Sequence, residues 1–332
     1  MYTTIVTDDL PARLNRSIEH VSPITNEDHT LFDQFIGENT LDFSNSWLYT
    51  KQATAFGGNK YHYNKTLIAF TVYRPHTLPW AFVQYLGKNA MRQAFVLGQK
   101  LMKDFNTPII FKNLTEKQYS ELVSYGCQDY RPGDGWNAFY RYDDDTFPET
   151  IVETDRLCSL QGRSYHSIRS RIRQFYKNNI RVEQYTPSHY SDTLLILEKW
   201  LTMIKYRYEK YLENDPIILH SASIHRNFIE YITKNQDSHC IAQLIYIDDV
   251  PISFAIGYKI SNSTLGVYTT VTATDKIKGL SEATTYELVK SALQKKYKYV
   301  NLGGSEFKSL LNFKKKFNPS IAIQKRHAIL YP

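Results

Sequence analysis

Hydrophobic and polar positions follow two periods along this chain, and the two alternate in blocks. Period-two alternation and short runs rich in aromatic and β-branched residues predict strands over Trp47–Phe56, Thr66–Tyr73 and Trp80–Tyr85. Helical spacing flanks them. A first helix is expected over Ile24–Ile36, with Asn26 as its cap and Leu31, Phe32, Phe35 and Ile36 on one side, and another over Asn89–Phe105. A short strand at Pro108–Phe111, a helix at Thr115–Tyr125 closed by Gly126, and a strand at Trp136–Tyr142 complete the first half. Composition changes at Asp143–Pro148. Beyond it the pattern predicts a helix at Tyr165–Lys177, a strand at Arg181–Tyr185 and helices at Ser188–Tyr211 and Ser221–Lys234. A meander follows at Cys240–Ile247, Ile252–Lys259 and Leu265–Thr270, turning first at Asp248-Asp249, and then a helix at Ser281–Lys296.

The two halves share one order: strands, a long helix, a short strand, a short helix, a final strand. Thr107–Gly126 matches Lys298–Phe317 in pattern though hardly in identity, so two copies of one α/β unit are the simplest reading. Their boundary is expected near residue 150, giving domains 1–150 and 151–332.

The second copy ends in the most informative stretch, Lys298–Pro319. A β-like run at Tyr299, Val300 and Leu302 enters the Gly303-Gly304 turn, Ser305 is placed to cap, and a compact helix follows. Phe307, Leu310, Leu311, Lys314 and Phe317 share one face of it, while Lys308 and Lys315 lie off that face. A lysine on an inward stripe must reach a partner or the rim, because an unpaired buried ammonium is costly. Lys314 is therefore the first candidate for chemistry. Glu306, at the helix start, is a candidate on weaker grounds.

Charge adds two further candidates. The chain of 332 residues carries a net charge of +7, which favours an anionic partner. Between Asp155 and Glu183 there is no acid, and His166, Arg169, Arg173 and Lys177 share one face opposite Tyr165, Ile168, Ile172 and Phe175. That face suits RNA or phosphate. The loop Lys276, Lys278, Gly279, Ser281 sits between a strand and a helix, where glycine and a helix N-terminus admit an anion; Ser281 is equally a helix cap.

Other chemistries lose support. There is no P-loop, zincin or dinucleotide motif, and the ten histidines show no metal-ligand spacing. Cys127, Cys158 and Cys240 lack CxxC spacing and are expected to be inert core thiols of a reducing compartment. No apolar run approaches the roughly 18 residues that span a bilayer. A cytoplasmic location without integral membrane association is the expectation.

The strand into Asn301-Leu302-Gly303, the helix end Phe313-Lys314-Lys315-Lys316-Phe317-Asn318-Pro319 and the upstream Leu160-Gln161-Gly162-Arg163 with Arg169–Phe175 resemble the C-terminal domain of lysylphosphatidylglycerol synthases. The Gly-Gly and FKxxF elements also resemble the Fem peptidoglycan-bridge aminoacyltransferases. The resemblance implies an α/β (α+β) fold of two tandem GNAT-type acyltransferase domains with mixed, mainly antiparallel sheets flanked by helices, the second being catalytic. It implies transfer of an amino acid from aminoacyl-tRNA to an amine or hydroxyl acceptor, with no metal or other cofactor. The acceptor is left open among a small molecule, a peptide and a lipid head group. Lys314 falls on the FKxxF lysine and would stabilise the developing oxyanion, Glu306 would meet the acceptor amine or its proton, and Tyr268 would line the cleft. Two alternatives stay open: an acyl-CoA N-acyltransferase holding its pyrophosphate at Lys276–Ser281, and a non-catalytic RNA- or peptide-binding protein on the same scaffold.

Overall fold

The structure is a computed structural model and describes residues 18–38, 40–53, 58–72, 80–130, 147–208, 216–305 and 308–332. The chain divides into two compact units, 1–148 with 323–332, and 149–322.

The first unit runs β1 (Val21–Pro23), α1 (His29–Asp33), α2 (Trp47–Ala53), β2 (Gly58–Tyr63), β3 (Thr66–Val72), β4 (Trp80–Gly87), α3 (Ala90–Phe105), β5 (Ile109–Leu114), α4 (Glu116–Ser124) and β6 (Gln128–Asp129). The second runs β7 (Glu149–Glu153), α5 (Thr154–Ser159), α6 (His166–Phe175), β8 (Ile180–Gln184), α7 (Tyr190–Tyr208), α8 (Pro216–Asn235), β9 (Cys240–Ile247), β10 (Val250–Ser261), β11 (Thr264–Thr272), α9 (Leu280–Gln294), β12 (Tyr299–Asn301), α10 (Lys308–Lys315) and β13 (Ile321–Ile323). The last strand, β14 (Arg326–Leu330), returns to the first unit.

The two sheets have the same plan. The first has the order β1-β2-β3-β4-β5-β14-β6, the second β13-β7-β12-β11-β10-β9-β8. In each, a long helix crosses over to make one parallel pair, β4 with β5 and β11 with β12. Matching β2–β6 to β9–β13 leaves β14 between β5 and β6, and β7 in the corresponding place between β12 and β13. The first sheet thus takes one strand, β14, from outside its own run of sequence, whereas β7 opens the second unit's own run. The ten C-terminal residues therefore belong with the first unit, where the sequence reading had assigned 151–332 to the second.

Apolar packing explains the layers. β4 is buried along its length up to Gly87, as expected for a strand covered on both faces. Phe70, Phe82 and Phe111 stack across β3, β4 and β5 at 5.2 Å between successive rings, under Ala94, Leu97 and Leu101 of α3. In the second unit Ile168 and Ile172 of α6 and Leu288, Val289 and Ala292 of α9 pack with Ala255, Leu265 and Val300 of the sheet.

Several local expectations change. Trp47–Ala53 is a helix, not a strand: Trp47, Leu48 and Thr50 are buried as a cluster that only helical spacing turns to one side. The expected first helix breaks into a 3₁₀ turn, Asn26–Asp28, followed by α1, and Thr25 rather than Asn26 begins it, pairing reciprocally with Asp28. Asp248 and Asp249 do make the first hairpin turn, both with positive φ (48° and 62°) as a type I′ turn needs. The strand expected at Trp136–Tyr142 lies outside the described residues.

Candidate functional site

The site forms where a parallel ladder ends. β11 and β12 pair only at Thr264–Tyr299, Leu265–Val300 and Gly266–Asn301. β12 pairs with β7 on its other side, and beyond Asn301 the chain stays with β7 alone: the Leu302 N–H donates to the Thr150 carbonyl at 2.8 Å, and the Thr150 N–H to the Gly303 carbonyl at 3.3 Å. A splay results, with Val267–Thr272 on one side and Leu302–Ser305 on the other.

Buried polar groups hold the second edge. Asn301 is fully buried; its Nδ2 donates to Glu149 Oε2 at 2.7 Å and its Oδ1 accepts from the Gly303 N–H at 2.7 Å. Lys314 is 9% exposed, and its ammonium donates to the Gly303 carbonyl at 3.2 Å and to that of Gly304. Leu311 and Phe317 are buried on the same face, while Lys315 is exposed, which is the division that helical spacing requires. Lys316 extends from the helix end to Glu282 at 2.9 Å, in the first turn of α9. Ser305 is fully buried with no partner for its hydroxyl, and no capping bond by it is seen. Glu306 and Phe307 lie outside the described residues.

Tyr268 lies on the splayed half of β11, 9% exposed, its ring edge-on to Phe228 at 5.0 Å and to Tyr258 at 6.2 Å. Its neighbour Thr269 brings in a residue that sequence reasoning missed. His225 of α8 shares a hydrogen bond with Thr269 Oγ1 at 2.6 Å, and Trp200 lies edge-on to the imidazole at 5.2 Å. Burial pushes His225 down to about 4, so it is neutral near pH 7. No motif marks this residue; only the crossing of α8 over β11 does.

That depressed value has a consequence for stability. The unfolded chain takes up the His225 proton near pH 6.5 and the folded one only near 4. The associated stability is complete above about pH 6.5 and is lost as pH falls toward 4, at most on the order of 3 kcal/mol. Melting followed from pH 7 to 4.5 should therefore fall less steeply for His225→Gln than for the parent chain, and equal slopes would contradict this account.

The loop before α9 is explained by packing. Gly279, not Ser281, occupies the cap position, with φ +86°, and a Cβ there would lie 2.2 Å from the Arg171 carbonyl oxygen of α6. Ser281 is an exposed residue inside the helix, and Lys276 and Lys278 are exposed. The Arg171 carbonyl beside this helix start and the Glu282 carboxylate in its first turn both oppose an anion there.

The basic helix is partly as expected. Tyr165, Ile168, Ile172 and Phe175 are buried, and His166, Arg173 and Lys177 are exposed. Arg169 is different. Its guanidinium donates to the Leu160 carbonyl and to that of Gly162 at 3.2 Å, clipping the turn that leads into α6. Arg163 and Arg171 are exposed beside the stripe and replace that charge. Asn318, just past α10, reaches Ser164 at 3.4 Å, which puts the start of this helix against the end of the lysine helix.

Burial pushes Cys127 and Cys240 up to about 12 and Cys158 up to about 11, leaving each a thiol at neutral pH. Among the described residues no group of metal-ligating side chains is assembled, and no helix is long and apolar enough to cross a membrane.

Two tandem units, each with one parallel pair that splays, define a GNAT-type transferase scaffold, the fold class expected from the sequence. The chain belongs to the family of phosphatidylglycerol lysyltransferase C-terminal domains, which matches residues 40–329. A conserved protein of unknown function from Bacteroides thetaiotaomicron superposes with a TM-score of 0.71 at 14% identity, covering 93% of this chain and 99% of that one. L-PGS from Bacillus licheniformis gives 0.62 at 12% identity, covering 92% and 91%, and FemX gives 0.62 at 12% identity, covering 94% and 97%. Among curated proteins no relative matches the chain.

Proposed function

We propose that this protein is an aminoacyl-tRNA-dependent aminoacyltransferase whose reaction takes place in the splay of the second unit, on an amine or hydroxyl acceptor. The observation that carries the reading is Lys314, the lysine of the family-like helix end, held under Gly303 and Gly304 at the point where the strands part. Similarity to proteins named L-PGS and FemX supports the same class of donor.

The chemistry asked of the site is modest. An acceptor nitrogen or oxygen attacks the carbonyl carbon of the aminoacyl ester, the bond from that carbon to the ribose oxygen breaks, and the ribose oxygen leaves with the proton given up by the acceptor. Orientation, an oxyanion stabiliser and a proton acceptor suffice. Lys314 supplies positive charge and fixes the Gly303-Gly304 backbone, Glu306 takes the acceptor's proton, and Tyr268 walls the cleft. His225, neutral and hydrogen-bonded to Thr269, positions β11 beside it. His166, Arg173 and Lys177, with Arg163 and Arg171, face the tRNA; Arg169 contributes by shaping the turn. No metal takes part, and the location is cytoplasmic.

The acyl-CoA alternative is disfavoured by the Arg171 carbonyl and the Glu282 carboxylate at the start of α9. The test is incubation with a mixed pool of charged tRNAs and cell metabolites, following which aminoacyl esters are consumed. Acceptor-dependent loss of particular esters is expected, none after RNase treatment of the pool, and no binding of acetyl-CoA or longer acyl-CoAs. Product formed from acyl-CoA, or RNA binding without turnover of any ester, would overturn it.

A further inference from the structure

The second sheet ends in an open strand. Among the described strands β8 is last in its order, and its residues are exposed or half-buried throughout. Two bonds that continue its ladder past either end fix the pattern: the Asp248 N–H donates to the Asn179 carbonyl at 3.2 Å, and the Tyr185 N–H to the Ala242 carbonyl at 2.8 Å. With Ile180 opposite Ile247 and Gln184 opposite Gln243, it is Asn179, Arg181, Glu183 and Tyr185 that turn their backbone groups to β9. The N–H and C=O groups of Ile180, Val182 and Gln184 point the other way, to the open edge.

The side chains of this edge complement themselves. Arg181 and Glu183 share one face, where Arg181 lies over the Tyr246 ring at 4.3 Å; on the other face Val182 is 37% exposed opposite Ile245, which belongs to the apolar cluster beneath α9. Within one chain Arg181 pairs with Glu183 and with Asp249 at 3.2 Å, and Glu183 also meets His189 at 2.9 Å. A second copy laid antiparallel along the edge must match outward-pointing residues to outward-pointing residues, so a two-fold axis can pass through Arg181, Val182 or Glu183. An axis at Arg181 sets Arg181 against Arg181, and one at Glu183 sets Glu183 against Glu183; like charges directly opposite are destabilising. Axes further out leave much of the strand unpaired. The axis at Val182 sets Arg181 against Glu183 on both sides of it, Val182 against Val182 and Ile180 against Gln184, and every outward N–H and C=O of the strand finds a partner.

We propose that β8 is the interface of a two-fold homodimer, in which it pairs antiparallel with β8 of a second copy, centred on Val182, and joins the two second-unit sheets into one. The exposed Val182 is then covered by its counterpart, and the charged pairs set the register. The strand offers five residues a side, against about 20–30 in a standard interface, so association is weak and depends on concentration. The dimer requires nothing of the donor or the acceptor used in the second unit.

The experiment is sedimentation equilibrium of the full chain, without tRNA, from about 1 to 200 µM, a range in which weak association is still read. The mass is expected to rise from that of one chain toward that of two and no further, because an isologous contact closes on itself. Val182→Pro should stay monomeric throughout while unfolding cooperatively, since it removes an outward N–H and leaves the bonds to β9 in place. Should that chain fail to fold, the charged pair reads the same edge. Arg181→Glu should weaken the dimer by about tenfold, as two cross-strand pairs turn repulsive, and adding Glu183→Arg should restore it by setting opposite charges face to face again. A single-chain mass at every concentration, a mass beyond two copies, an undiminished dimer in folded Val182→Pro, or a double variant no tighter than Arg181→Glu would overturn the assignment. Since no transfer is measured, failure here leaves the proposed reaction standing, and failure of the tRNA experiment leaves this interface standing.

Discussion

A Lys314→Met chain is expected to lose about 10²- to 10³-fold in single-turnover aminoacyl transfer, while Lys315→Ala stays within about twofold of the parent. The ammonium of Lys314 is almost wholly withdrawn from solvent, and two of its protons are committed to the Gly303 and Gly304 carbonyls. A fixed positive charge in so dry a place acts on a developing oxyanion far more strongly than one in water, and it holds the glycine backbone that borders the splay. Methionine keeps the length and removes both effects. It also leaves two carbonyls without this donor, so a cost of about 1–3 kcal/mol and a lower melting temperature accompany the change. The comparison therefore belongs at a temperature where circular dichroism shows both variants folded. Lys315 is the internal control, one residue away and exposed. Transfer by Lys314→Met equal to that of Lys315→Ala, or a loss that only follows unfolding, would reduce Lys314 to a structural clamp.

How much of this was legible in the sequence depends on the distance over which each feature is specified. The burial of Lys314 was legible, because Leu311 and Phe317 set one helical face and the lysine falls on it. The parallel pairs were implicit in the repeated order of strand, long helix and short strand. The distant pairings of β7 and of the exchanged β14 were not. β7 and β14 are five residues each, and their partners lie far away in sequence, at Tyr299–Asn301 and Ile109–Leu114, so no local turn announces either. Arg169 was placed correctly on its helix but not in its role, since spacing cannot tell a solvent-facing guanidinium from one that caps the carbonyls of Leu160 and Gly162. Gly279 was noticed for the right reason, a need for close approach; what approaches is the backbone of α6. Trp47–Ala53 misled because aromatic residues favour strands on average, whereas here Trp47 and Phe32 pack ring against ring at 5.0 Å from two helices.

The exchanged strand carries the largest expected effect on folding. A chain ending at Ala322 lacks β14, and its first sheet then has nothing between β5 and β6. His327, Ala328 and Ile329 are at most 6% exposed, and β14 bonds to Ile109–Leu114 on one side and Gln128–Asp129 on the other. Arg326 adds a clamp, stacked over the Tyr119 ring at 3.9 Å and paired with Glu116 and Asp129 at 3.2 Å, and Lys325 neutralises Asp42. Each large apolar side chain withdrawn contributes about 1.5–3 kcal/mol and each ladder bond about 1 kcal/mol, against a typical total stability of about 5–15 kcal/mol. Loss of β14 is therefore enough to unfold the first unit, and the bared edge of β5 promotes aggregation. The check is chemical denaturation of the chain ending at Ala322, beside one lacking only the exposed Tyr331 and Pro332. The first should lose its cooperative transition or be recovered only as aggregate, and the second should unfold as the parent does. Ile329→Pro should act like the larger truncation, because proline cannot donate to the ladder from a strand paired on both sides. A cooperative transition at the parent's midpoint in the chain ending at Ala322 would mean that β5 and β6 close up without the borrowed strand.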